Sequence, residues 1–228
     1  MKNSWFLFLC LLLSASSMAQ VKIMGTQAVV ATDRDGRGMI SNYKEVQGTP
    51  FVSDDWQEGT IIFSNGLKEK SSQLNFDLYS NKPLFREGNQ LYNFQEPVKE
   101  ISYQGLWNGQ PKQLIFRNEY PAIGNLSRSF YYRVEADGAR FHLLQFVEKV
   151  VNQEMVSIGT YEKKFVQQDD WYLYDVAAGK LIKLPRSKKD LAQAVSGLSP
   201  ALGEYIKSKN PNPKDAESMA AMVKTLNQ

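Results

Sequence analysis

Residues 129–151, SFYYRVEADGARFHLLQFVEKVV, carry the pattern that decides the fold. Two runs rich in aromatic and β-branched residues, Ser129 to Ala136 and Arg140 to Val151, flank Asp137-Gly138, a pair that favours a turn, so the stretch reads as one long β-hairpin. Phe141, Leu143 and Val147 fall on one face of the second strand, and His142, Leu144 and Phe146 on the other. A strand with apolar residues on both faces belongs in the middle of a sheet.

Outward from this hairpin the same signals recur. Thr60 to Phe63 runs into Ser64-Asn65-Gly66, where the Asn-Gly pair predicts a two-residue hairpin turn. Leu74, Phe76 and Leu78 alternate with Asn75, Asp77 and Tyr79, which predicts a strand with one strongly apolar face. Further strands are expected over 83–87, 90–94, 98–103, 113–117, 161–166, 171–176 and 180–184, with turns at Glu87-Gly88-Asn89 and Ala178-Gly179. Past Pro185 the apolar period changes from two to 3.6. Ser187 with Asp190 resembles a capping box ahead of Leu191, Ala194, Val195 and Leu198, and Gly197 falls near that helix's end. Ser199-Pro200 opens a second helix carrying Leu202, Tyr205 and Ile206. Asn212-Pro213 opens a third, in which Met219, Met222, Val223 and Leu226 form the buried stripe. The chain therefore reads as mainly β with a C-terminal α part (α+β). An antiparallel β meander over 20–185 forms a barrel-like or sandwich body, and three short helices over 186–228 pack on it.

Residues 1–19 read as a cleavable secretory signal: Lys2, an apolar run from Trp5 to Leu13, then Ser17-Met18-Ala19 ahead of a mature start at Gln20. The run is shorter than the roughly 20 residues that span a bilayer. Cleavage there removes Cys10, the only cysteine, so neither disulfides nor thiol chemistry are expected of the exported chain. The formal charge of +3 gives no footprint for nucleic acid. Asp33-Arg34-Asp35-Gly36-Arg37-Gly38 lacks the remaining ligands of a calcium loop and the Gly-Lys-Ser/Thr of a phosphate loop, so it reads as a glycine-rich turn and no nucleotide is expected. His142 is the only histidine, which leaves too few ligands for the usual zinc sets. No metal and no cofactor are expected.

A glycosidase needs only two carboxylates brought together in space. Asp54-Asp55 and Asp169-Asp170 are the densest candidates, read as polar turns entering strands. Adjacent residues of an extended chain point to opposite faces, so neither pair alone aims both acids at one substrate. They sit in an internal echo, Phe51-Val52-Ser53-Asp54-Asp55-Trp56 against Phe165-Val166-Gln167-Gln168-Asp169-Asp170-Trp171. Trp107, before Asn108-Gly109, is the most loop-like tryptophan and a candidate sugar-stacking ring. Lys180, Lys183, Arg186, Lys188 and Lys189 form a basic cluster that could meet anionic polymers or lipid headgroups. His142, within a strand and with no nucleophile motif, is expected to be structural.

Trp171-Tyr172-Leu173-Tyr174, Gly179-Lys180-Leu181-Ile182-Lys183-Leu184 and Ser187-Lys188-Lys189 resemble segments of uncharacterised exported proteins of the Bacteroidetes. Pro50-Phe51-Val52-Ser53-Asp54-Asp55-Trp56, with Gly59-Thr60 downstream, does so too. The resemblance is loose over most of the mature chain. It implies a Gram-negative envelope setting, periplasmic or outer, and supplies no activity or functional residue. The expectation is a non-catalytic secreted or periplasmic envelope protein that binds a ligand or has a structural role. Envelope glycan, lipid and protein remain open as partners. A carboxylate-based hydrolase acting on glycans and an outer-membrane β-barrel are the alternatives.

Overall fold

The structure is a computed structural model, and it describes residues 29–32, 38–40, 43, 45–196 and 200–227. Residues 1–19, expected to be a secretory signal, and the Asp33–Arg37 part of the expected glycine-rich turn lie outside these residues. The strands are β1 Val29–Thr32, β2 Gly38–Ile40, β3 Gln57–Phe63, β4 Lys68–Asp77, β5 Lys82–Glu87, β6 Gln90–Asn93, β7 Val98–Trp107, β8 Gln110–Arg117, β9 Tyr132–Asp137, β10 Phe141–Ser157, β11 Thr160–Asp175 and β12 Lys180–Leu184. Three helices follow, α1 Lys188–Ser196, α2 Pro200–Lys209 and α3 Ala216–Leu226. All the described strands join one antiparallel sheet in the order β1-β2-β6-β5-β4-β3-β7-β8-β9-β10-β11-β12. This is the mainly antiparallel β body with three C-terminal helices expected from the sequence. The sheet stays open, with β1 and β12 as its edges, and does not close into a barrel.

The sheet is strongly curved. Val147 of β10 shares one apolar cluster with Leu74 and Phe76 of β4, although several strands separate them in the sheet order. Residues 47–52 fill the gap between these strands. Val52 N–H donates to the Phe76 carbonyl and Leu78 N–H to that of Pro50, while Gln47 bonds to β11 at Lys163 and Phe165. Lys149 N–H reaches the Leu78 carbonyl directly at 3.0 Å. Irregularities in pairing at Gln57/Gly59 and Ile62/Phe63 of β3 and at Leu143/Leu144 of β10 supply bends of the kind such curvature needs.

Several local expectations change. The turn at Ser64-Asn65-Gly66 is a three-residue loop, closed by Phe63 N–H to the Leu67 carbonyl, with only Gly66 among its residues at positive φ. The two-residue turn with both φ positive is instead Asn108-Gly109, at 52° and 77°. Residues 161–166 and 171–176 are not two strands. β11 runs unbroken through Asp169-Asp170, because β10 continues past Val151 to Ser157 and pairs with it throughout. Tertiary pairing there overrides the low strand preference of Gln and Asp. The Asp-Asp-Trp echo is accordingly not a structural repeat: 51–56 is a bend ahead of β3, whereas 165–171 is mid-strand.

The helices cover the β9–β12 end of the sheet. Leu191, Val195, Leu202, Ile206 and the α3 stripe Met219, Met222, Val223 and Leu226 pack with Phe141, Leu143, Trp171, Leu173 and Leu184. Ala194 is exposed, and Gly197 and Leu198 lie outside the described residues. α3 starts at Ala216, later than Pro213, because Asp215 caps it through the N–H groups of Glu217 and Ser218. On the opposite face of the sheet, Tyr120, Tyr132, Val134, Leu144, Phe146, Tyr172 and Leu181 form a third cluster. β10 is therefore apolar on both faces, as its sequence predicted.

Candidate functional site

Phe116, Arg133, Gln145, Trp171 and Leu184 form a row of cross-strand partners running from β8 to β12. Phe116 belongs to the first apolar cluster, and Trp171 and Leu184 to the helix-covered one. Arg133 and Gln145 thus place a polar strip where the two cores meet. A cavity of about 300 Å³ opens over this strip, lined by Trp107, Lys112, Gln145, Gln167, Asp169 and Trp171 together with residues 214–217 at the start of α3.

An internally bonded chain runs from behind this lining to Gln145 and Asp169 within it. Arg133 is almost fully buried, donates twice to Gln145 Oε1 at 2.9 and 2.7 Å, and pairs with Glu135. Gln145 Nε2 donates in turn to Asp169 Oδ2 at 2.9 Å. Lys112 reaches Glu135 Oε1 at 3.2 Å from the rim. Burial pulls the guanidinium below its usual pKa while Glu135 opposes the shift. An arginine stays charged in proteins, so a positive centre neutralised by Glu135 lies behind Gln145. These bonds fix the amide of Gln145 and the carboxylate of Asp169, a preorganised pair of the kind that orients a polar ligand.

The expectation that Trp107 lies in a loop is corrected. It ends β7 and is buried at 6% exposure, with the Arg133 guanidinium 4.3 Å above its ring. The tight Asn108-Gly109 turn sets β8 beside it in the sheet, and the indole, with Arg133 against its ring, lines the cavity as a wall. Asp169 and Asp170 are also corrected, from turn to strand. They point to opposite faces as the extended chain requires. Asp169 faces the cavity, whereas Asp170 binds Lys183 at 2.7 Å and lines a separate cavity with Phe146 and Tyr172. Arg186 lies 3.6 Å from Asp170 and bonds the Asp169 carbonyl, so part of the basic cluster is neutralised internally. Asp54 and Asp55 are exposed in the bend before β3, held from behind by the buried Asn75, whose amide donates to the carbonyls of Ser53 and Asp55 at 2.8 and 3.1 Å. Neither lines the cavity at Trp107. Of the expected residues, Trp107 and Asp169 converge and the others do not.

Gln145, Trp171, Lys112 and Gln167 were not singled out for this site. The legible signal was Gln145, a polar residue on the core-facing side of the most apolar strand. A second polar group surrounds His142. His142 Nε2 lies 3.1 Å from Asp137 Oδ1 and its Nδ1 lies 3.0 Å from the Tyr120 hydroxyl. Arg117 donates to Asp137 Oδ2 at 2.8 Å and to Glu100 Oε2 at 2.5 Å. This arrangement puts the imidazole proton on Nε2, facing the carboxylate, and lets Nδ1 accept from Tyr120. Burial, with help from Arg117, holds His142 below its usual pKa against the pull of Asp137, and burial pushes Tyr120 up to about 12. The group borders a cavity of about 520 Å³, but its charges are engaged with one another. Asp137 and His142 are cross-strand partners at the end of the β9–β10 hairpin, a pairing legible once the hairpin is recognised.

Among the described residues, no group of three His, Cys, Asp or Glu side chains is placed to hold a metal ion, and no helix is long and apolar enough to cross a membrane. Comparison with protein families, with curated proteins and with solved structures finds no match to this chain.

Proposed function

We propose that this chain is a non-catalytic binding protein of the Gram-negative envelope, taking a small hydroxylated ligand, such as a saccharide unit of envelope glycan, in the cavity between β11 and α3. The observation that carries this reading is the convergence of Gln145, Asp169 and two tryptophan walls in one recess, with Lys112 and Gln167 at its rim. A volume of about 300 Å³ lies at the lower end of small-molecule sites. Amide, carboxylate and ammonium groups beside indole surfaces offer both donors and acceptors to hydroxyls. The export setting rests on the sequence of residues 1–19 and on the resemblance.

The divergence of the four candidate aspartates weighs against the hydrolase reading, since a retaining or inverting pair must flank one bond. The open edges of the sheet weigh against an outer-membrane barrel. Calorimetric titration of the protein with a panel of neutral and amino-sugar oligosaccharides tests the proposal. Saturable binding that Gln167→Ala and Asp169→Asn each weaken by about tenfold or more supports it. Absence of binding across the panel, or release of new reducing ends, overturns it.

A further inference from the structure

The β10–β11 hairpin outruns the sheet that anchors it. Pairing of β10 with β9 ends at Gln145, and pairing of β11 with β12 begins at Trp171. Beyond these points the two strands pair with each other, flanked by Leu78 at Lys149 near the base and by Gln47 at Lys163 and Phe165 just behind the tip. Every residue from Val151 to Lys163 is exposed. Yet this solvent-bathed ribbon ends in apolar side chains: Met155, Val156 and Tyr161 are each more than half exposed, and Ile158 is fully so. Such clustering at one projecting point marks an interaction site more often than scattered apolar residues do.

The distribution of charge along the hairpin identifies the occupant. Residues 155–161, Met-Val-Ser-Ile-Gly-Thr-Tyr, contain no charge. Immediately behind them, in register across both strands, Glu154 faces Glu162, Gln153 faces Lys163 and Asn152 faces Lys164. Lys164 pairs with Glu154 at 2.6 Å. The tip is therefore an uncharged apolar cap on a collar of two acids and two lysines with no net charge. We propose that it seats in the interfacial layer of a lipid bilayer, with the cap among the upper acyl chains and the mixed collar among zwitterionic headgroups.

Dimensions agree. Three or four residue steps lead from collar to turn, roughly 10–13 Å at about 3.3 Å per residue, close to the about 5–10 Å reached by elements that lie in the interface. Tyr161 stands beside the collar, where an amphipathic ring suits the headgroup boundary. A flat protein surface would cover one face of the ribbon. Here Met155 and Tyr161 share one face, Val156 sits in a local bulge and Ile158 occupies the turn, so only a medium that surrounds the tip covers all four. Among the described residues no third strand pairs with the ribbon from Val151 to Glu162, which restricts the tip to the interface, because the hydrocarbon centre offers such backbone edges no hydrogen-bond partner.

Co-sedimentation of the protein with phosphatidylcholine vesicles, with and without added phosphatidylglycerol and at low and high salt, tests this alongside sedimentation velocity without vesicles. The expected result is partition onto phosphatidylcholine that persists at high salt, falls about tenfold or more in Ile158→Asp and is retained in Ile158→Leu, with all three proteins melting alike. Three results would overturn it. One is no partition of the native protein onto any vesicle. Another is salt-sensitive binding to anionic vesicles alone that Ile158→Asp leaves unchanged, which assigns the attraction to the basic cluster. The third is a vesicle-free dimer that Ile158→Asp abolishes, which makes a second copy the occupant.

Discussion

Asn227, one residue past α3, fastens the C-terminus to the hairpin that decides the fold. Its Oδ1 accepts from the N–H groups of Arg140 and Phe141 at 3.0 and 2.8 Å, and its Nδ2 donates to the carbonyls of Phe141 and Val223 at 2.9 and 3.0 Å. Gly138 lies against the same amide, and a Cβ there would collide with it. Asn227→Ala deletes four hydrogen bonds of about 0.5–1.5 kcal/mol each, and part of that is recovered because water reaches this turn. A net cost of about 2–4 kcal/mol follows, on the order of 10 °C in melting temperature for a chain of this size. Gly138→Ala must displace the amide and so loses much the same bonds. The two substitutions therefore fail by one mechanism, and the double variant should cost little more than either alone. Urea denaturation of all four proteins in a double-mutant cycle measures this, with an expected coupling of about 2 kcal/mol or more. Additive costs would refute the reasoning, because they would mean that Gly138 is required by its own backbone and not by Asn227.

Val223→Asp buries a carboxylate among Met219, Met222 and Leu191 and should cost more than about 3 kcal/mol, whereas exposed Lys224→Asp should cost under about 1 kcal/mol; comparable thermal shifts would count against docking of α3. His142 is the only histidine, and its folded pKa lies below the ordinary 6.5. Its contribution to stability is thus complete above that value and is lost as pH falls through the folded pKa. Denaturation midpoints at about pH 8 and about pH 5 should show this loss in the native protein and a smaller one in His142→Gln, whose stability near neutrality changes only modestly. An identical loss in both proteins would assign the pH dependence elsewhere.

Local chemistry made much of the architecture legible. Asp137-Gly138 between two apolar runs marks a hairpin because the turn preference and both strand patterns agree, and the α3 stripe follows directly from helical periodicity. Those features depend on neighbours close in sequence. The continuity of β11 through Gln167 to Asp170 does not: those residues are poor strand formers, held extended only because β10 lies beside them. The same holds for the candidate site. Alternation along a strand separates Asp169 from Asp170 from sequence alone, but which of them faces a cavity depends on the curvature of the sheet and on where α3 docks. Trp107 read as a loop residue because an Asn-Gly turn follows it, and became a wall once Arg133, on a strand two places along the sheet, covered its ring. The sequence by itself determined the strand and helix periods and the sign and spacing of the charges, since these are properties of the local chain. Only the tertiary structure decided which polar groups share a recess and which apolar ones stand in water, because both depend on contacts between segments whose separation along the chain sets no distance in space.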